Sequence, residues 1–83
     1  VSTEINLIGM NLDDATERMN KYIDDAFLAG LKTVNIIHGR GSGILRKGLR
    51  AELRRNKHVE SYKSAPYDQG GEGNTIVTLV DRT

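Results

Sequence analysis

Glu4-Ile5-Asn6-Leu7-Ile8 and Thr33-Val34-Asn35-Ile36-Ile37 are two short runs of branched apolar residues, and each meets a glycine within two residues of its end. Each then gives way to a segment whose apolar residues recur at helical spacing, and this alternation narrows the folds open to the chain more than any other feature. After the first run, Asn11 is a suitable N-cap with Asp14 three residues on. Leu12, Ala15, Met19, Tyr22, Ile23, Ala26 and Phe27 then mark one helical face down to Gly30. After the second run, Leu45, Leu49 and Leu53 repeat every fourth residue, which predicts a helix from about Ile44 to Asn56 with one apolar stripe. A third strand is expected around Val59 to Ser64. A loop holding Pro66, Gly70, Gly71 and Gly73 follows, and Thr75 to Val80 forms a fourth strand.

The order is therefore β-α-β-α-β-β, an α/β pattern. Strand, helix, strand units make consecutive strands parallel through right-handed crossovers, so the first three strands are expected to run the same way. The loops after them, at Gly9 to Asn11, His38 to Gly43 and Ala65 to Asn74, then leave from one carboxyl edge. In open α/β sheets that edge is where ligands bind.

A chain of 83 residues suffices for one domain over residues 1–83, because it buries only roughly 60 to 65% of its unfolded surface. With 37% hydrophobic and 28% charged residues it is of ordinary globular composition, and no apolar run approaches the roughly 20 residues of a membrane span. It has no cysteine, which excludes disulfides, thiolate metal sites and a cysteine nucleophile, and which suits a cytoplasmic setting. The first residue is Val1, and the chain reads as a piece of something longer. The net charge of +1 hides an asymmetry: residues 40–58 hold seven cations against the single acid Glu52, a net of +6, and the remainder carries about −5.

The glycine-rich stretch His38-Gly39-Arg40-Gly41-Ser42-Gly43 passes from a strand into a helix. Glycines there let a backbone approach a ligand, and the helix start offers unpaired N–H groups to an anion such as phosphate. No Gly-Lys-Ser/Thr follows, so it is not a P-loop, and its third glycine comes one position early for a dinucleotide fingerprint. A turn that needs glycine only for its dihedrals is the competing interpretation. His38 sits where the second strand empties onto the ligand edge and can give or take a proton; alternatively it is a hydrogen-bonded cap on the strand end. Arg46, Arg50 and Arg54 share one helical face with Lys47 beside them. They suit a phosphate backbone, although a solvated helix face is the usual meaning of such a run. Among four aromatic residues, Tyr67 lies in the last loop of the same rim and could stack on a base. The pairs Asp13-Asp14 and Asp24-Asp25 read as helix-start charges and solvated surface, and no metal site is assigned.

Three segments coincide in order and spacing: Ile5-Asn6-Leu7-Ile8-Gly9, then Ile37-His38-Gly39-Arg40-Gly41-Ser42-Gly43 with Leu45-Arg46, then Gly70-Gly71-Glu72-Gly73-Asn74-Thr75-Ile76-Val77. Together with Leu28-Ala29-Gly30-Leu31 they resemble the Smr (small MutS-related) domain over about residues 4–80. The resemblance implies a two-layer α/β fold with a mixed four-stranded sheet, similar to the C-terminal domain of translation initiation factor three. It also implies endonuclease activity on DNA or RNA. Such domains close the chains of MutS-type ATPases of the second bacterial paralogue class, linked to recombination control and rescue of stalled ribosomes. ATP would then bind elsewhere in a homodimeric parent, the isolated domain would be a monomer, and a divalent metal is left open for cleavage.

Within that resemblance, Gly9, Gly39, Arg40, Gly41, Ser42, Gly43, Arg46, Lys47, Arg50, Arg54, Gly71, Gly73 and Tyr67 are the expected phosphate and nucleic-acid contacts, and His38 and Asn6 the expected catalytic pair. His38 would move a proton while Arg40, Arg46 and the loop N–H groups stabilise developing charge. The family's first motif usually has an acid where Asn6 stands and a histidine or arginine where Ile8 stands. An amide cannot act as a general base, and isoleucine brings neither charge nor hydrogen bonds. The alternative expectation is thus a binding-only module that attaches an ATPase to DNA, RNA or ribosomes.

Overall fold

A computed structural model describes residues 1–82. Asn6 shapes its first element: Oδ1 accepts a hydrogen bond from the Ile8 N–H at 2.9 Å, and this side-chain turn stops strand β1 (Glu4–Asn6). The apolar run Glu4 to Ile8 reads from sequence as a buried first strand, and the structure corrects it to three strand residues at the sheet edge. Glu4, Asn6 and Ile8 are exposed, and of the run only Leu7 is fully buried.

Helix α1 (Leu12–Leu28) begins as its sequence requires. Asn11 is extended, its Oδ1 accepts from the Asp14 N–H at 2.9 Å, and its Nδ2 donates back to the Asp14 carboxylate at 2.9 Å. The helix ends in a Schellman turn. Gly30, at φ +78°, donates to the Phe27 carbonyl and Leu31 donates to that of Ala26, a geometry that favours glycine at the turn.

Strand β2 (Thr33–Ile37) follows, then helix α2 (Ile44–Arg55), β3 (Val59–Ser64), two short 3₁₀ turns (Tyr67–Gln69 and Gly71–Gly73) and β4 (Asn74–Leu79). The sheet order is β1-β2-β4-β3, with β1 parallel to β2 and β4 antiparallel to both its neighbours. The first three strands therefore run the same way, as their order in sequence requires. The apolar β4 takes an interior place, whereas β3 exposes Glu60, Ser61 and Lys63 and takes an edge, where charged side chains discourage further pairing.

Register separates the two faces of the sheet. Ile5, Ile36, Thr75 and Ser64 share one cross-strand row, and Val34, Val77 and Tyr62 another. That face meets Ala15, Met19, Ile23 and Ala26 of α1 and Leu49 and Leu53 of α2 in one core. The opposite face carries Thr33, Asn35, Ile37, Ile76 and Thr78, none fully buried, so the fold has two layers.

Gly48 of α2 packs directly against Leu12 of α1. A Cβ there would lie 2.5 Å from Leu12 Cδ1 and 2.6 Å from Cδ2. Alanine in a helix interior ordinarily stabilises by about 1 kcal/mol relative to glycine. Here overpacking of about 1–3 kcal/mol should outweigh that gain. Gly48→Ala is therefore expected to lower the unfolding free energy in urea titrations, and the same substitution in a Leu12→Ala background to raise it. Stabilisation by the single change would show that this contact does not set the helix spacing.

Candidate nucleic-acid interface

The carboxyl edge of the sheet is held together by one carbonyl. Gly73 O accepts from the N–H groups of both His38 (3.1 Å) and Gly39 (3.0 Å), so the glycine-rich loop after β2 is fastened to the loop before β4. A Cβ at Gly73 would touch the Gly39 backbone at 3.4 Å, so the two loops lie directly against each other. The loop then turns through Gly43, which starts α2 in the left-handed region at φ +85°. Gly43 N–H donates to Arg40 O, and Lys47 N–H to Gly43 O. Among the described residues, the N–H groups of Leu45 and Arg46 find no acceptor, and that of Ile44 reaches only Ser42 Oγ at 3.4 Å.

The start of α2 thus points open donors and the positive end of a helix dipole at the rim. Its first turn contains no acid and instead carries Arg46 and Lys47, the sign a helix start disfavours unless an anion is near. Residues 38–45 form one wall of a groove of about 550 Å³, and residues 8–12 of the β1–α1 turn form the other. Gly9 is on its lip. Arg40 is exposed, and its guanidinium lies 3.0 Å from where a Gly71 Cβ would be, so Gly71 lets it lie flat against the last loop.

Beneath the loop runs a polar chain. His38, only 4% exposed, has Nδ1 2.8 Å from Gly39 O and Nε2 2.8 Å from Thr75 Oγ1. A carbonyl can only accept, so Nδ1 carries the proton and Nε2 accepts from the Thr75 hydroxyl. Arg50 donates to Thr75 Oγ1 (3.3 and 3.2 Å) and to Ser64 Oγ (2.8 Å), and Ser64 donates to Glu72 at 3.0 Å. The other oxygen of Glu72 pairs with Arg46. Burial holds the His38 pKa below its ordinary value of 6.5, against the Gly39 carbonyl that pulls it up and with Arg50 and Arg46 pushing it further down. The Ser64 hydrogen bond and the nearby arginines hold Glu72 below the usual carboxylate value.

The residues expected from sequence are therefore used unequally. His38, Gly39 to Gly43, Gly9, Gly71 and Gly73 converge on one rim. Arg40 and Lys47 are exposed there, whereas Arg46 is paired, Arg50 is held between Thr75 and Ser64, and Arg54 donates to Tyr62 Oη at 3.1 Å. Asn6 shapes its own turn, and Tyr67 stands 88% exposed in the first 3₁₀ turn. Among the described residues no three acidic or histidine side chains are grouped to hold a metal ion.

A family model for the Smr domain matches residues 5–80. The chain belongs to the Smr domain family. This Smr domain is 51% identical over 82 residues, 99% of the chain, to Endonuclease MutS2 of Caldanaerobacter subterraneus, and 49% identical over 79 residues, 95% of the chain, to that of Clostridioides difficile. It spans about 10% of the length of either relative. Its fold superposes on the crystal structure of the Smr domain of Thermus thermophilus MutS2 with a TM-score of 0.93 at 38% identity, covering 95% of this chain and 99% of that one. YdaL, a stand-alone small MutS-related protein from Escherichia coli, gives a TM-score of 0.88 at 28% identity over 93% of this chain and 63% of that one.

Sequence reasoning did not single out Thr75, Ser64 or Glu72. Thr75 and Ser64 are paired across β3 and β4, a register no local pattern displays, and Glu72 read as a loop residue between glycines. Two outcomes follow for this Smr domain. Because burial lowers the folded-state pKa of His38, the unfolded chain binds the extra proton first, and stability present above pH 6.5 should be lost as the pH falls below it. The melting temperature should drop between pH 7.5 and 5.5, and His38→Gln should flatten that drop; an equal drop in the variant would remove His38 as its cause. Glu72→Gln should free Arg46 and steepen the log-affinity against log-salt slope for an oligonucleotide by about one, with tighter binding. Weaker binding by the variant would mean that Glu72 assists the ligand instead of competing with it.

Proposed function

We propose that this Smr domain holds the phosphate backbone of DNA or RNA in the groove between the β1–α1 turn and the glycine-rich loop. The observation that carries this reading is the start of α2, where unpaired N–H groups and a first turn without an acid face one rim, with the exposed cations Lys47 and Arg40 beside them. A negative ligand relieves a repulsion the free domain bears. The names of its relatives support a place inside a longer MutS-type protein; ATP bound outside this chain and ribosomal RNA as one source of the phosphates belong to the same proposal.

Phosphodiester cleavage is the second reading, favoured by the name Endonuclease MutS2 on relatives up to 51% identical. In it, the loop N–H groups and Arg40 would stabilise charge on the pentavalent transition state. His38 has both ring nitrogens engaged, so it positions the loop, and moves a proton only if Thr75 first lets go of Nε2. The sites of Asn6 and Ile8 lack the base and the cation a nuclease would use there.

The binding reading is tested by fluorescence anisotropy across a salt series. Arg40→Ala with Lys47→Ala should weaken binding and reduce the log–log slope by about two. An unchanged slope would overturn it. For cleavage, Asn6→Asp with Ile8→His should raise supercoiled-plasmid nicking at least about tenfold over the parent chain, since a positioned base contributes that much or more. Aspartate can still accept the residue-8 N–H, so the turn should survive. Nicking that is equal in parent, double variant and His38→Ala would eliminate the cleavage reading.

A further inference from the structure

Arg40 and Gly39 form the wall between two grooves. The second, of about 290 Å³, lies on the uncovered side of the sheet and is lined by Ile8, Ile37, Gln69 and Asn74. Ile8 lines both grooves, is 57% exposed, and packs over Gly39, whose Cβ position would be 3.4 Å from Ile8 Cγ1. Ile8 is thus an apolar ridge fixed on a cationic rim. Ile44 and Tyr67 are also strongly exposed on this rim, so three of the five large exposed hydrophobic residues among those described gather where its phosphate-competent donors are.

The floor of the second groove carries an unmet hydrogen-bond acceptor. Asn74 is only 7% exposed, and its Nδ2 donates to the Gln69 carbonyl and to Asn35 Oδ1, both at 2.9 Å. Because the Gln69 carbonyl can only accept, the orientation of the amide is settled. Asn74 Oδ1 is left buried with no partner among the described residues, and buried polar atoms are seldom left so.

We propose that this second groove receives an unpaired nucleobase of the strand whose phosphate lies at the start of α2. The proposal rests on the phosphate-binding reading above and names its substrate class as single-stranded or locally unpaired nucleic acid. A phosphate alone has no use for an apolar ridge, and a base inside a duplex keeps its faces stacked and hidden. A splayed base offers a flat apolar face to Ile8 and Ile37 and, once Asn74 turns its unmet acceptor outward, an N–H, which every nucleobase can supply. Arg40, shared by both grooves, spans the step from phosphate to base, and Tyr67 stands in the same 3₁₀ turn as Gln69, where it offers a stacking face to a neighbouring base.

Anisotropy titrations of the 83-residue chain with three probes of equal phosphate count separate the possibilities: an intact single strand, the same strand made fully abasic, and a blunt duplex. The intact strand should bind at least about tenfold more tightly than the abasic strand, with similar salt slopes, since one base contact is worth that much. It should also outcompete the duplex. Ile37→Ser, at a residue that lines the second groove and not the first, should bring the intact-to-abasic ratio close to one while leaving the abasic affinity and the circular dichroism spectrum as they were. Equal, salt-sensitive binding of intact and abasic strands, or a ratio that survives Ile37→Ser, would overturn the base site and leave the phosphate reading standing. Absence of salt-sensitive binding to all three probes would overturn the phosphate reading itself.

Discussion

The carbonyl of Gly73 holds the rim in place. By accepting from two successive N–H groups it joins the end of β2 to the start of β4, which are separated in sequence by α2 and β3. A Cβ at position 73 would already be in contact with the Gly39 backbone at 3.4 Å, so the two loops lie directly against each other where this carbonyl joins them. Once that contact exists, His38 is carried under the loop, Gly39 turns outward against Ile8, and Arg40 lies across Gly71. The loop enters α2 already directed, and the donors at the helix start face the groove without further cost in loop ordering.

Below the rim, the chain from His38 through Thr75, Arg50 and Ser64 to Glu72 solves a different problem. An arginine placed over the core must have its guanidinium satisfied, and Thr75 and Ser64 do this with hydroxyls while Tyr62 lies 5.8 Å below it. The neutral histidine is part of the same solution, because burial disfavours its charged form and the neighbouring Arg50 adds to that. Polar groups beneath the loop therefore fix its shape, while the exposed Arg40 and Lys47 supply free charge above it. The two roles were indistinguishable as a run of basic residues in the sequence.

Most of the fold was legible because its signals are local. The Asn11 cap, the Gly30 stop, the leucine stripe of α2 and the strand directions each follow from neighbouring residues or chain order. The edge position and early end of β1 were not, because apolar patterning hides a side chain that bonds back to its own backbone at Asn6. The glycines of the site were legible for the same local reason. What the arginines do was not, because Arg46 meets Glu72 across 26 residues and Arg50 meets Thr75 across 25. Pairing at that range is decided by sheet register, and a single sequence carries no trace of it.

The missing acid at the start of α2 has a thermodynamic consequence. A helix whose first turn holds no acid and an exposed Lys47 bears a repulsion in the free domain that an anion removes, Arg46 being already paired with Glu72. Ligand and fold are then linked, and whatever occupies the groove adds its binding free energy to the native state alone. The rim would be the part of the domain whose order depends most on its surroundings, loosest in dilute buffer and firmest on a polyanion. A nucleic acid would in that sense complete the first turn of the helix, taking the place that a capping aspartate fills in other proteins.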